Sequence, residues 1–429
     1  MTIPAALFRN AIDLNRYSNS VAKQIILVYN DIIIDAANQL QNLLPDAGGE
    51  GALTISSPAK ADRLRAILAQ TKDSLSTWAG DATQLTATEL QGLAELQSDF
   101  VTEQLRKVLP AGARSAVNTV EISPQFAQSV VTTDPTQLNV VALSDDLYKS
   151  VYGVEALAKQ AGAGTFNLTA TQGSMITLPN GEVLSKAFRG IAESQAERFG
   201  QVVRNGLLTG ETTPSIAKRL IGQLQFGDYG PLSTGQVRAA GISVKQLLAA
   251  GGELTAVTDN QIMALVRTSI NQVANTASQQ VYEANQDITK KYRYVATLDT
   301  RTSAICRGLD GQEFDYGKGP TPPQHFNCRS TTVPVINYEE LGFDAPPSVT
   351  KGKRASIDGP VPVGTTYGQW LKDQPLEVQE KVLGKDKVKY FNQLVEKHGA
   401  KDAMAKLVRD DGSELSLDDL RKRYGAQKS

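Results

Sequence analysis

The sequence has little of what most often does chemistry or cross-links a fold: in 429 residues there are two Cys, two His, two Trp and four Met. Two cysteines exclude a disulfide scaffold and fit a chain that folds in a reducing compartment. Net charge is nearly missing as well, with 44 Lys and Arg against 45 Asp and Glu. That balance excludes a strongly basic nucleic-acid binder, while leaving room for a local patch. Residues 1–150 carry 11 basic and 16 acidic side chains, residues 151–339 carry 17 and 15, and residues 340–429 carry 16 and 14. Long apolar runs are absent too. The most apolar stretch, 24–34, is too short to cross a bilayer and has Asp31 in its middle. The first twenty residues lack a basic segment followed by an unbroken apolar one, so no secretory leader is expected. The expectation is a soluble chain without a membrane anchor.

Several catalytic signatures are missing. The sequence has no His-Glu-x-x-His, no phosphate-binding Gly-x-x-x-x-Gly-Lys and no Gly-x-Ser-x-Gly elbow. The deaminase pattern of His-x-Glu with Pro-Cys-x-x-Cys is absent as well. These gaps point to an interaction or structural protein rather than an enzyme.

Helical periodicity is what the sequence has in quantity. The length suggests two to four domains. The expected fold is mainly α with a small α+β domain. Residues 1–110 read as a helical region. Val21, Ile25, Val28, Ile32 and Ala36 form one stripe of a helix over about 4–43. A second helix fits 59–79. A third is expected to begin at Thr86, where Thr86-Ala87-Thr88-Glu89 has the form of a capping box, and to stop at Pro110. Residues 111–184 read as a mixed region with a small hairpin around Asn180-Gly181. Helices follow at 185–208 and, opened by Thr213-Pro214, at 213–224. The strongest helix spans about 259–288, with Ile262, Leu265, Val266, Ile270, Val273, Ala277 and Val281 on one face. Tyr292, Tyr294, Ala296 and Leu298 alternate as in a strand. The Pro- and Gly-rich segment 344–366 reads as a linker, and 367–429 as a helical tail. In that tail Lys381, Lys385, Lys387, Lys389 and Lys397 offer either a nucleic-acid stripe or, in the plainer reading, a solvated helix face. His398, before Gly399, fits the C-terminal end of a helix.

The informative constellation lies in 299–330. Both cysteines and one of the two histidines, Cys306, His325 and Cys328, fall within 23 residues. Thiolate and imidazole suit zinc, with Asp299, Asp310 or a water in the fourth position. Two other readings stand beside it: a packed, metal-free knot, or a disulfide between the two cysteines. The segment has few large apolar groups, so some staple is needed. In either structural version Cys306 and Cys328 are expected to be neighbours, and Arg329 to reach a carboxylate such as Asp299 or Asp310 through its forked donors.

These residues carry a family resemblance. Val266-Arg267-Thr268-Ser269 on the long helix is followed by an aromatic-rich strand. Then come Asp299, Arg301, Thr302 and Cys306 in Asp-x-Arg-Thr-x-x-x-Cys spacing, and Leu309-Asp310-Gly311. The closing element is Pro322-Pro323-Gln324-His325-Phe326-Asn327-Cys328-Arg329-Ser330. The order resembles the phage Mu F-like domain of phage head morphogenesis proteins, also called minor head or minor capsid proteins. The resemblance covers roughly 185–395 and places a compact Mu F-like domain at 185–343. It implies a virion component of a tailed phage, made in the host cytoplasm and located in the head interior or at the portal vertex. It also implies the portal and other head proteins as partners, several copies per portal, and a role in head assembly or genome delivery. A protein that handles the packaged double-stranded DNA is the second reading, and a zinc-dependent enzyme the third.

Overall fold

The computed structural model describes residues 5–43, 58–122, 165–168, 178–209, 211, 213–221, 254–336, 338–342, 344, 352–409 and 412–425. The described residues are mainly helical, with three small sheets.

Helix α1 (Ala5–Gln41) packs against α2 (Pro58–Val108), α4 (Thr213–Ile221) and α5 (Thr255–Ala284), and α2 also packs on α3 (Leu184–Leu208). The buried face of α1 runs through Ala22, Ile26, Tyr29, Ile33, Ala37 and Leu40. Val28 belongs to the stripe read from the sequence, yet it is 42% exposed, because this face turns past it. Trp78 is the hinge of the packing. Its Nε1 donates to Ile25 O at 3.2 Å, and its ring lies 5.3 Å from Tyr29 and 5.8 Å from Phe188.

The expected break at Thr86 does not occur, since α2 is one helix of 51 residues. Thr86 lies within it, and its Oγ1 bonds Ala82 O at 2.7 Å, where a capping residue would bond forward. Leu75, Trp78, Ala82 and Leu90 are buried on both sides of that point, and their packing outweighs the capping signal.

Between α2 and α3 the chain forms a 3₁₀ turn (Ala111–Ala116) and β1 (Thr119–Ile122), which pairs in parallel with β2 (Thr165–Leu168). At Asn180-Gly181 the turn is present, with Gly181 at φ 79°, but its outgoing arm enters α3 at Leu184 where a second strand was expected. The incoming arm, before 178, lies outside the described residues, as does the end of the 213–224 helix.

Helix α5 leads into β3 (Thr289–Val295), the central strand of an antiparallel sheet ordered β4-β3-β5, where β4 is Glu313–Phe314 and β5 is Thr331–Ile336. The short helix α6 (Ala304–Leu309) lies between β3 and β4. The segment read as a linker contains a hairpin, β6 (Lys353–Ser356) and β7 (Gly359–Pro362). It docks on the end of the β3 segment, where Ile357 N–H donates to Leu298 O at 2.9 Å. The tail folds into α7 (Tyr367–Lys372), α8 (Leu376–Leu383), α9 (Lys385–His398), α10 (Ala400–Ala405) and α11 (Leu417–Tyr424). Thr366 and Ser416 make capping boxes at α7 and α11. Their core gathers Tyr367, Trp370, Leu371, Phe391, Leu394 and Leu420, and it includes Leu298 from the sheet domain.

Candidate functional site

The site is assembled by α5, β3, α6 and the loop that leads into β5. Helix α5 holds the loop from below. Thr268 Oγ1 accepts from Asn327 N at 3.0 Å, Asn271 Nδ2 donates to Ser330 O at 2.9 Å, and Asn275 Oδ1 accepts from Thr332 N at 3.1 Å. Arg267 Nε and Nη2 donate to Asn19 Oδ1 on α1 at 2.9 and 2.7 Å. Ser269, which closes the Val266-Arg267-Thr268-Ser269 run, turns its hydroxyl back to Leu265 O.

Cys306, on α6, meets Cys328 and His325 from the closing loop. Their ligand atoms all lie within 4.8 Å of one another. The two Sγ atoms are 3.7 Å apart and the cysteines are free thiols, and Cys306 Sγ is 3.4 Å from His325 Nε2. Tyr294, Ala296, Cys306 and Cys328 form a small buried cluster, with Tyr294 OH 3.2 Å from Cys306 Sγ. His325 Nδ1 lies 2.8 Å from Phe326 O, which accepts from it. That contact assigns the proton to Nδ1 and leaves Nε2 with a lone pair facing Cys306 and Ser303 Oγ, 2.7 Å away.

The contact between the two thiols acts on them in opposite directions. The hydrogen bond with Cys328, aided by burial, pushes the Cys306 thiol up to about 12. The same bond, helped by backbone groups of Gln324 and Ser330, brings Cys328 down to about 6 against its burial. The contact with Cys306 pushes the His325 imidazole up.

Cys306, His325 and Cys328 converge, and Asp299 does not join them. Its carboxylate receives both guanidinium nitrogens of Arg329, Nη1 to Oδ2 at 2.5 Å and Nη2 to Oδ1 at 2.9 Å. Burial alone would push its carboxyl up. The Arg329 guanidinium, with the Arg301 N–H and the Thr302 hydroxyl, outweighs that and holds it below the usual carboxylate range. Arg301 N–H donates to Asp299 Oδ1 at 3.0 Å, and Thr302 Oγ1 donates to Thr297 O at 2.6 Å. The Asp-x-Arg-Thr run is thus a tight turn fixed by its own first side chain.

Asp310, the other candidate for the fourth position, is also committed elsewhere. Its oxygens accept from Ala296 N at 2.7 Å, from Tyr367 N at 2.6 Å and from Arg354 Nη2 at 3.0 Å. Both side chains of the Asp310–Arg354 pair are buried, at 1% and 5% exposure. The neighbouring Gly311 has φ 78°, and a Cβ there would stand 2.8 Å from Thr366 Cγ2, so the position favours glycine on both counts. Pro323 follows Pro322 through a cis peptide bond.

Ser303, Arg354 and Tyr367 complete the surroundings and were not singled out in the sequence, while Tyr294 was read there as a strand residue only. For Arg354 a signal existed: Asp358-Gly359 is a hairpin-turn dipeptide, and a hairpin with Ile357-Asp358 as its loop stands in the segment read as a linker. Nothing in the spacing marks Ser303 or Tyr367. In the tail, Lys387 pairs with Glu414 at 2.6 Å and Lys389 with Asp386 at 3.9 Å. Lys381, Lys385 and Lys397 are exposed.

Comparison with known proteins places this site at the end of a matched segment. Residues 197–333 match the family model described as Phage Mu protein F like protein. A protein of Haemophilus influenzae strain Rd, described as uncharacterized, is 27% identical over 153 residues, which is 35% of this chain and 32% of that protein. The chain therefore spans about a third of that relative's length. No solved structure matches. Among the described residues no helix is long and apolar enough to cross a membrane.

Proposed function

We propose, from the premise that residues 197–333 form a Phage Mu F-like domain, that the protein is a minor structural component of a tailed-phage head, acting in head morphogenesis at the portal. The observation that carries the reading is the coincidence of that match with a unit whose polar residues serve as braces. Asp299, Arg329, Asp310 and Arg354 are paired, Asp299 with Arg329 and Asp310 with Arg354, and among the described residues the groups that could hold a metal include no carboxylate to act as a base. Portal and head proteins are the proposed partners, with several copies per portal. Quantitative mass spectrometry of purified particles tests this. The protein is expected in mature particles at a few copies per portal, and absence from both mature particles and procapsids ends the reading.

Within this reading the Cys306–His325–Cys328 cluster is a structural zinc site. A tetrahedral ion at about 2.3 Å from sulfur and about 2.0–2.1 Å from nitrogen needs sulfur–sulfur edges of roughly 3.8 Å and sulfur–nitrogen edges of roughly 3.5 Å. The Cys306–Cys328 and Cys306–His325 separations are 3.7 and 3.4 Å, and the Cys328–His325 edge lies within 4.8 Å. The Nδ1 contact with Phe326 O supplies the outer hydrogen bond that ligating imidazoles usually have. With Asp299 and Asp310 engaged, the fourth position falls to water. Zinc would join α6 to the closing loop. Elemental analysis of protein purified without chelator is expected to give one zinc per chain, lost in Cys306→Ser and Cys328→Ser.

A further inference from the structure

Beside the cysteine cluster the surface opens into a cleft of about 250 Å³, lined among others by Asn15, Thr297, Asp299, Arg301, Arg329 and Arg354. Its charges do not balance. Arg354 is matched by Asp310, one to one. Asp299 alone serves both Arg329, which grips it through two nitrogens, and Arg301, whose guanidinium stays 3.8 Å away. Arg267, on α5 beside the cleft, makes its side-chain hydrogen bonds to the amides Asn19 and Asn327, which carry no charge. Two guanidiniums thus share one carboxylate, and a third, that of Arg267, stands within electrostatic range of both. Burial first, then the charges of Arg329 and Arg301, hold Arg267 below the usual range, which marks these three cations as close enough to repel. The chain as a whole carries a net charge of −1, so such a concentration does not follow from its composition.

We propose that this cleft binds a phosphate group, and that its ligand is the phosphodiester backbone of a nucleic acid. Guanidinium forks match phosphate oxygens in pairs, and a recess with low-dielectric walls strengthens the attraction. The open geometry favours a long polyanion over an enclosed small molecule. Arg301 stands at the rim with 79% of its side chain exposed, free to meet a backbone running past, while the more buried Arg329 lies deeper at 19%. The site is distinct from the tail lysines and does not depend on the head-assembly reading. The bound anion would supply the negative charge that Asp299 alone does not.

The test uses the full chain and a fluorescently labelled 20-base-pair DNA duplex, followed by anisotropy across a salt series. Arg301→Gln removes an exposed cation and leaves the fold intact. It is expected to weaken binding about eightfold at 0.1 M salt and to lower the salt slope by about one, the effect of losing one phosphate contact. Arg301→Glu is expected to weaken it further. Arg421→Gln, an equal loss of charge on α11, is expected to change nothing. Inorganic phosphate should compete beyond an equal ionic strength of chloride. Wild-type binding by both Arg301 variants overturns the proposal, as does the absence of duplex binding at low salt, or equal competition by phosphate and chloride.

Discussion

The helical body and the loop-rich sheet domain sit side by side and are held together in different ways. In the body, α1, α2 and α5 meet through Ile26, Ile33, Leu75, Leu90, Val266 and Val273, all fully buried aliphatics. Such packing is non-directional and spread over many contacts, so no single partner is indispensable. Across 296–330 the large apolar side chains are few, and order comes from directed polar contacts. Asp299 gathers one backbone N–H and an arginine, Asp310 two and an arginine, and two thiols and an imidazole tie the loop to α6. Burial stabilises the first region by accumulated area. The second depends on a small number of partners, each costly to remove.

The sharpest way to break the contrast is a charge in the body. Val273→Asp places an uncompensated carboxylate among helices, a change in the class that costs more than about 4 kcal/mol. Insoluble or unfolded protein is expected. A soluble protein with a cooperative melt would show that α5 does not bury this face. Next comes the brace in the sheet domain. Arg354→Ala leaves Asp310 buried and unpaired, with an expected loss of about 3–5 kcal/mol in urea unfolding. Replacing both partners at once, Asp310→Asn with Arg354→Met, should cost less than the single change, and a cost equal to or above it would argue against an ion-pair role. A smaller effect is expected at the staple. In zinc-free protein Cys328→Ser buries a hydroxyl in a thiol's place, at roughly 1–2 kcal/mol. Hydrogen exchange should quicken across 299–330 while α1, α2 and α5 keep their protection. Uniform quickening would mean the two regions open as one.

The mildest prediction concerns pH and a polar exception inside the body. Asn30 Nδ2 donates to Asp259 Oδ2 at 3.3 Å, while Asn30 Oδ1 and Asp259 Oδ1 have no partner. Burial pushes the Asp259 carboxyl from 3.8 up to about 7. A proton is therefore held more tightly in the folded chain than in the unfolded one. The stability this contributes is complete below about pH 4 and is lost as pH rises through about 7. Glu283, also pushed up to about 7 by burial, adds a slope of the same sign. Asp259→Asn should flatten part of the decline in stability between pH 4 and 7, and an unchanged profile would show that Asp259 is ionised in the fold.

The body was largely legible because repetition carries it. The stripe from Ile262 to Val281 states a buried face several times over, and α5 forms where the pattern lies. Thr86 misled because a capping sequence is a local signal, and the packing of Trp78 and Leu90 on either side is not visible from four residues. In the sheet domain the rarity of cysteine and histidine pointed to the cluster, and turn-forming residues pointed to a need for a staple. The pairing of Asp310 with Arg354 was not legible. It joins residues 44 positions apart, and the proline and glycine around Arg354 concealed the hairpin that delivers it.

One consequence concerns where a transplantable module would have to be cut. The family match ends at 333, yet Leu298 lies in the core of the tail helices and Tyr367 OH donates to Asp299 O at 2.8 Å. A segment ending at the match would carry Leu298 into water and leave Asp310 without Arg354 or the Tyr367 N–H. Grafted onto another protein, the matched stretch needs the hairpin and tail through α11 to travel with it. The portable unit is therefore set by its contacts, and it is longer than the segment that similarity outlines.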